Sequence, residues 1–230
     1  MKKYLLATTA VMVSVMSAEA QYRPAGGEKN LELMMAPLGG SPLSMGGIKL
    51  RKWDSATSAK RLAVFLGYSN ESTITQDENS QTQLSELKDT ESGISVSLQL
   101  GIEKHKAGTE RLSPYMGGYV DLSFGTSNKK EETQGPSNKV GYTQTKGADL
   151  GVGVNAVAGF DYYFAKSIYL GTELGFGLAA KLPMKKTAES VTFDANGNSV
   201  TTSGDSKEGN TTSIQLGPNV VGQLRLGWLF

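Results

Sequence analysis

The sequence has no cysteine and a single histidine, His105. Without cysteine there is no disulfide, no thiolate metal site and no lipid-modified N-terminal Cys. Net charge is nearly absent, at +1 over the whole chain. Removing Lys2, Lys3 and Glu19 with an N-terminal leader brings it to zero, and a nucleic-acid partner would call for a basic excess. No stretch beyond the N-terminus approaches the roughly 20 apolar residues of a membrane-spanning helix. Nor does any segment after that point show a 3.6-residue apolar period. Apolar content is modest at 38%, and glycine is abundant at 28 residues.

The first residues read as an export signal. Lys2 and Lys3 supply the positive start, Tyr4 to Met16 the apolar run, and Ala18-Glu19-Ala20 the small-x-small cleavage site. The expected division is a signal peptide over 1–20 and a mature domain over 21–230.

The mature part alternates with a period of two, the mark of strands with one apolar and one polar face. The end of the chain is the clearest instance. Ile214, Leu216, Val220, Leu224, Leu226, Trp228 and Phe230 fall on even numbers, and Ser213, Gln215, Asn219, Gln223 and Arg225 on odd ones. Eight such segments are expected: about 30–38, 44–53, 60–68, 93–103, 115–124, 149–164, 168–182 and 213–230. In the second, parity slips at Gly46-Gly47, where a bulge is expected. The links after the third, fifth and seventh segments are long and polar; those after the second, fourth and sixth are short. That is the asymmetry of antiparallel strands crossing a membrane as a barrel, with short turns at one end and long loops at the other.

Alternation alone does not say which face meets lipid. The polar face carries Glu32, Lys49, Arg51, Arg61, Glu103, Asp121, Asp149, Asp161, Glu173, Lys181 and Arg225, interleaved with glycines such as Gly151, Gly153, Gly171, Gly175 and Gly177. A water-facing sheet rarely uses so much glycine, which weakens strands. A narrow lumen needs small residues between paired charges. The apolar rows have about the length a tilted strand needs to cross a bilayer. Aromatics gather near strand ends: Phe160, Tyr162, Phe164, Trp228 and Phe230 at the short-turn end, Tyr68 and Phe124 toward the other. A soluble lipocalin-like barrel is the competing reading. The expected fold is all-β: an eight-stranded antiparallel up-and-down transmembrane β-barrel, with N- and C-termini in the periplasm and long loops outside the cell.

"VVGQLRLGWLF", the export signal, the eight alternating segments and the lack of cysteine resemble small outer-membrane β-barrel proteins of the OmpA/OmpX type. "NLELMMAPLGGSP" and "GFDYYFAKSIYLGTELGFG" resemble the variety common in Bacteroidota-like bacteria. The resemblance covers nearly the whole mature chain, without the OmpA pattern's peptidoglycan-binding domain. It implies a bacterial outer-membrane location. It also implies that Leu224, Leu226, Trp228 and Phe230 form the signal read by the barrel-assembly machinery.

No residue stands out as catalytic, cofactor-binding or metal-binding. His105 is placed at a periplasmic turn, where a lone histidine is simply solvated. Asp194, Asn196 and Asn198 around Gly197 match part of a calcium loop but lack its closing Glu. Asn196-Gly197 is a strong type I′ turn, so a hairpin joining extended seventh and eighth strands is preferred. The polar face suggests a lumen charge network, with Glu32, Arg51, Arg61, Asp121, Glu173 and Arg225 as members. Balanced charge is what buried pairing requires, and eight strands leave little more than side-chain room. The expected function is therefore a plugged barrel acting as a structural or interaction protein, which displays extracellular loops or docks with larger outer-membrane complexes. The alternative is a narrow porin-like channel for ions or small solutes. Outer-membrane lipid and lipopolysaccharide are expected neighbours, other outer-membrane proteins are expected partners, and no cofactor or nucleic acid is. Ala156 and Ala158 are a candidate lateral contact.

Overall fold

The computed structural model describes residues 22–36, 44–77, 85–134, 139–194, 196–206, 211–218 and 223–230. The expected signal segment lies outside them, as do Pro37, the Gly39–Pro42 link and Val220. The described residues form a single antiparallel sheet: β1 (Lys29–Ala36), β2 (Ser44–Ser55), β3 (Ser58–Asp77), β4 (Ser85–His105), β5 (Leu112–Gln134), β6 (Val140–Ala165), β7 (Ile168–Pro183), β8 (Thr187–Phe193), β9 (Ser199–Asp205), β10 (Ser213–Pro218) and β11 (Gln223–Leu229).

The sheet closes on itself. Each strand from β1 to β6 pairs with the next, β10 and β11 both pair with β7, and β11 returns to β1. Along β7 the partners advance from Phe176 (opposite Pro218) to Glu173 (opposite Gln223), three residues, while the chain advances five. β10 and β11 thus share the eighth place in the ring, and an even slip keeps Ile214 and Leu224 on one face. The Gly46-Gly47 expectation is met: Met34 pairs with Gly47 and Met35 with Met45, which leaves Gly46 without a partner at a bulge.

The register fixes the barrel's shape. From Leu33, one path of partners runs through Ile48, Val64 and Leu98 to Leu122 on β5. The opposite path runs through Leu226, Leu170 and Tyr162 to Leu112 on the same strand, ten residues away. With a rise of about 3.3 Å per residue and about 4.8 Å between strands, a stagger of ten over eight strands gives a tilt of about 41° and a radius of about 8 Å. Side chains alone fill such an interior.

Faces follow parity. Leu62, Val64, Leu66, Ile94, Val96, Leu98, Leu100, Leu122, Phe124, Val152, Val154, Leu174 and Phe176 point outward and are exposed. The core is instead polar and lies within the ring: Glu32, Lys49, Arg51, Glu103, Asp161 and Arg225 have no accessible surface. This inversion of an ordinary globular protein puts apolar side chains where a bilayer would solvate them.

Two expectations are corrected. The described residues of the long links after the third and fifth segments are strand extensions. β3 pairs with β4 as far as Asp77↔Ser85, and β5 with β6 as far as Gln134↔Val140. Above the apolar band both faces meet water, so alternation vanishes although Thr- and Ser-rich strands persist. A hairpin does close at Asn196-Gly197, but it joins β8 and β9, and it is not the expected two-residue type I′ turn: Asp194 N–H donates to Asn198 O and Gly197 N–H to Asp194 O, with Gly197 at positive φ. β8 docks on the extended part of β6, from Tyr142↔Val191 to Lys146↔Thr187. The result is a sheet wall of β3, β4, β5, β6, β8 and β9 rising beyond the ring. Each residue climbs about 2.5 Å along the axis at this tilt, so the 26 residues of β6 climb about 65 Å, against an apolar band of about 25 Å.

Candidate functional site

Alternation aims one side chain inward every second residue, and at the short-turn end every strand of the ring contributes a polar one. β1 supplies Asn30 and Glu32, β2 Lys49, Arg51 and Trp53, and β3 Arg61. β4 supplies Glu103 and His105, β5 Tyr115, β6 Asp161, β7 Tyr169 and Glu173, and β11 Arg225. Among the described residues the buried charges number four carboxylates and four cations.

They form one connected network. Arg51 reaches three carboxylates: Nε contacts Glu32, and Nη1 lies 3.0 Å from Glu103 Oε2 and 2.7 Å from Asp161 Oδ2. Its Nη2 donates to Tyr169 Oη at 3.1 Å. Arg225 bridges Glu32 at 2.9 Å and Asp161 at 3.0 Å. Arg61 grips Glu173 with both terminal nitrogens, at 2.8 and 3.0 Å, and lies 3.1 Å from Glu103. Lys49 sits among Glu32 at 3.1 Å, Glu173 at 3.4 Å and Glu103 at 3.5 Å. Each carboxylate thus touches at least two cations, the condition under which buried charge is tolerated. Phenols satisfy remaining lone pairs: Tyr115 donates to Glu173 at 2.6 Å and Tyr169 to Glu32 at 2.7 Å.

An aromatic layer closes the short-turn end. Trp53 donates its indole N–H to Asn30, and its ring lies 4.4 Å from that of His105. His105 stacks on Tyr115 at 5.0 Å and contacts Ser113 Oγ through Nδ1 at 2.9 Å. The N-terminal segment crosses below, where Arg23 donates to Lys106 O at 3.3 Å and Ser113 Oγ at 3.4 Å.

Glycine makes room for these groups. A Cβ on Gly171 would lie 2.7 Å from Arg225 Nη2, one on Gly159 2.6 Å from Tyr115 Oη, and one on Gly227 would overlap the Tyr169 ring. The opposite half of the lumen is different. Ser97, Gln99, Tyr119, Asp121, Ser123 and Gly153 are only half-buried, and Ser95 is exposed. Accessible surface therefore extends inward from the tall end and ends at the level of Arg61, Asn155 and Glu173.

Of the residues expected in the network, Glu32, Arg51, Arg61, Glu173 and Arg225 come together. Asp121 does not: it lies in the half-buried part of the lumen and accepts from Ser97 Oγ at 2.6 Å. Lys49, Glu103 and Asp161, noted on the polar face but not singled out, are full members. His105 is corrected most sharply. It is 4% exposed and packed into the lumen, because its odd position on β4 points inward even at the strand's last residue. Tyr115, Tyr169, Asn30 and Trp53 were missed; their inward parity was the available signal. Leu224 and Trp228 lie exposed on the outer face of β11 with Leu226 half-buried beside them, and Phe230 lies exposed just past its end. Ala156 and Ala158 lie exposed on the outer face of β6, opposite Gly118 and Met116 of β5. No group of three or more metal-ligating side chains occurs among the described residues.

No curated protein matches the chain. Among solved structures, the chain is similar to a major outer membrane protein from Thermus thermophilus, with 16% identity, a TM-score of 0.41, and coverage of 88% of this chain and 98% of that one. It is also similar to the outer membrane protein AlkL in lipid bilayers, with 12% identity, a TM-score of 0.32, and coverage of 93% of this chain and 95% of that one. Residues 58–180, from the start of β3 nearly to the end of β7, match the model of the OmpA-OmpF-like porin family. With more than half its length matched, the chain belongs to the OmpA-OmpF-like porin family.

Proposed function

We propose that this outer-membrane β-barrel stands with its short turns and both termini in the periplasm and its tall wall outside the cell. In this reading residues 1–20 are a cleaved export signal, and Leu224, Leu226, Trp228 and Phe230 present the strand read by the barrel-assembly machinery. The barrel acts as a plugged structural or interaction protein: the lumen is closed at the periplasmic half, and the wall of β3–β6, β8 and β9 is displayed to partners. One observation carries the reading. Eight buried charges, four of each sign, pair across the ring and leave no accessible surface on six of them. Planar-bilayer recording tests it. A sealed lumen gives no steady conductance, and large steady steps from the purified barrel overturn it.

The second reading, a narrow channel for ions or small solutes, is favoured by the family match over 58–180. In that case the half-buried, Ser- and Gly-lined outer lumen is the vestibule and the charge network is the constriction. The same recording separates the two, because a channel becomes more conductive when Arg61 or Glu173 is trimmed in charge-balanced pairs. Lateral docking through Ala156 and Ala158 is tested separately. Replacing both with Leu leaves folding intact and abolishes co-purification of any complex held there.

A further inference from the structure

The lower edge of the apolar band is not uniform around the ring. On four consecutive strands the outward apolar row ends in the same way. Leu31 is followed outward by Lys29 on β1, Leu50 by Lys52 on β2, Leu62 by Lys60 on β3, and Ile102 by Lys104 on β4. All four lysines are exposed. On the other half of the ring the last outward strand positions are apolar or aromatic: Pro114 on β5, Phe160, Tyr162 and Phe164 on β6, Ile168 on β7, and Trp228 and Phe230 at the end of the chain; the exposed cations there, Arg111 and Lys166, lie in the turns beyond the strands and are not in a row.

The lysines are also aligned. Lys29 is the register partner of Lys52, and Lys52 that of Lys60. Like charges directly opposite one another across strands are destabilising, so three in a row need a compensating anion. Among the described residues, Asp54 is the one carboxylate on these outward rows at their foot. It meets Lys60 at 3.2 Å, with both side chains well exposed, and such a pair contributes little. Among the described residues, Lys29, Lys52 and Lys104 have no ion pair to a side chain.

A lysine just past an apolar row lays its methylenes along the hydrocarbon and lifts its ammonium to the headgroup level. We propose that Lys29, Lys52, Lys60 and Lys104 form a binding surface for the phosphate of anionic phospholipids in the periplasmic leaflet, centred on the β1–β4 half of the barrel. Charge complementarity selects the occupant. The apolar row above each lysine takes the acyl chains, and a soluble acidic partner would have no use for it. The proposal rests on the membrane orientation given above.

Lysines near an anionic surface each contribute about fivefold in affinity before screening. The full-length barrel in mild detergent, offered equimolar phosphatidylglycerol and phosphatidylcholine, is expected to retain phosphatidylglycerol about tenfold over phosphatidylcholine in native mass spectra. A variant combining Lys29→Gln, Lys52→Gln, Lys60→Gln and Lys104→Gln is expected to retain the two lipids equally, while still running as a heat-modifiable, folded barrel on gels. The matching Lys→Arg set is expected to keep the preference. Equal retention by the parent protein, or an unchanged preference in the Gln variant, overturns the proposal. So does displacement of the lipid by millimolar inorganic phosphate, or selective capture of an acidic glycan in place of lipid. If the chain enters neither phosphatidylglycerol nor phosphatidylcholine vesicles, the membrane orientation itself fails and the lipid site with it. Insertion into both without preference sinks the lipid site alone.

Discussion

Arg51→Met removes the hub of the lumen network while nearly preserving its length. The structure limits what is lost. Glu32 keeps Lys49 at 3.1 Å and Arg225 at 2.9 Å; Glu103 keeps Arg61 at 3.1 Å and Lys49 at 3.5 Å; Asp161 keeps Arg225 at 3.0 Å. No carboxylate is orphaned, yet the enclosed charge shifts from four against four to three cations against four anions. Removing one partner of a buried pair costs about 3–5 kcal/mol. The retained contacts place this case at the lower end, about 3 kcal/mol. At about 1–3 kcal/mol per molar urea, the unfolding midpoint in lipid vesicles should fall by about 1–3 M, read by the loss of the heat-modifiable band. Asp161→Leu in the same background restores three against three and should recover much of the loss, with a coupling energy of about 1–3 kcal/mol in the double-mutant cycle. If Arg51→Met sits within about 1 kcal/mol of the parent, or the double variant is no more stable than the single, charge balance is not what holds the lumen together.

Other consequences test separate links. Gly227→Ala should destabilise the barrel by about 1–3 kcal/mol through overpacking against Tyr169, while Gly217→Ala, whose Cβ meets nothing within 4 Å, should be neutral; paired urea curves decide. Trp228 faces outward at 45% exposed and Trp53 inward at 1%, so brominated lipids should quench Trp228 alone and Trp228→Phe should abolish the effect. Surviving quenching would place Trp53 against lipid and reverse the assignment of faces. At the β8–β9 turn, the Asn198 amide and side chain, with the Asn196 and Gly197 amides, hold the Asp194 carboxyl below the usual carboxylate range. Its contribution is therefore fully present above the unfolded value of about 3.9 and is lost as pH falls through the lower folded value. Exchange protection at Asn196 and Asn198 should be flat above about pH 4 and decline below it, and a decline starting near neutral pH would contradict the assignment. Gly197 has φ +79°, so Gly197→Ala should loosen this hairpin and speed proteolysis there without affecting the barrel.

The fold was legible wherever one face met lipid. From Ile94 to Ile102 on β4, and from Leu150 to Phe164 on β6, strict alternation marks both the strands and their orientation. It fails above that band because residues 69–75 and 127–134 are wet on both sides, so β-strand and polar loop look alike in sequence. The eight-membered ring could be counted, but the docking of β8 on β6 could not, since pairing partners between polar strands leave no apolar pattern to match. Within the lumen, parity identified the charged set, but height did not follow from it. Asp121 and Glu173 share an inward face, yet the stagger of ten residues lifts one into the water-reached half and leaves the other in the network. His105 departs from expectation for a different reason. A position near a turn reads as solvent-facing in sequence, whereas the strand continues to that residue and the chain from Tyr22 passes beneath it.

The buried charge network and membership of a porin family place a quantitative demand on each other. Any path through the ring at the level of Arg61 and Glu173 must part a bidentate pair with both groups buried. Leaving one such charge uncompensated costs about 3–5 kcal/mol, which corresponds to an open population of roughly one in a hundred to one in several thousand. A conducting form of this chain would therefore be rare and brief unless a ligand or field favoured it. It could stay open only by exchanging partners, with Glu173 moving from Arg61 to Lys49 or Arg225, which already lie 3.4 and 4.0 Å away. Such an exchange strands no charge. If single-channel records from the parent protein showed openings occupying a tenth of the time, partner exchange rather than bond rupture would be the physical route, and Lys49→Met should then shorten the openings.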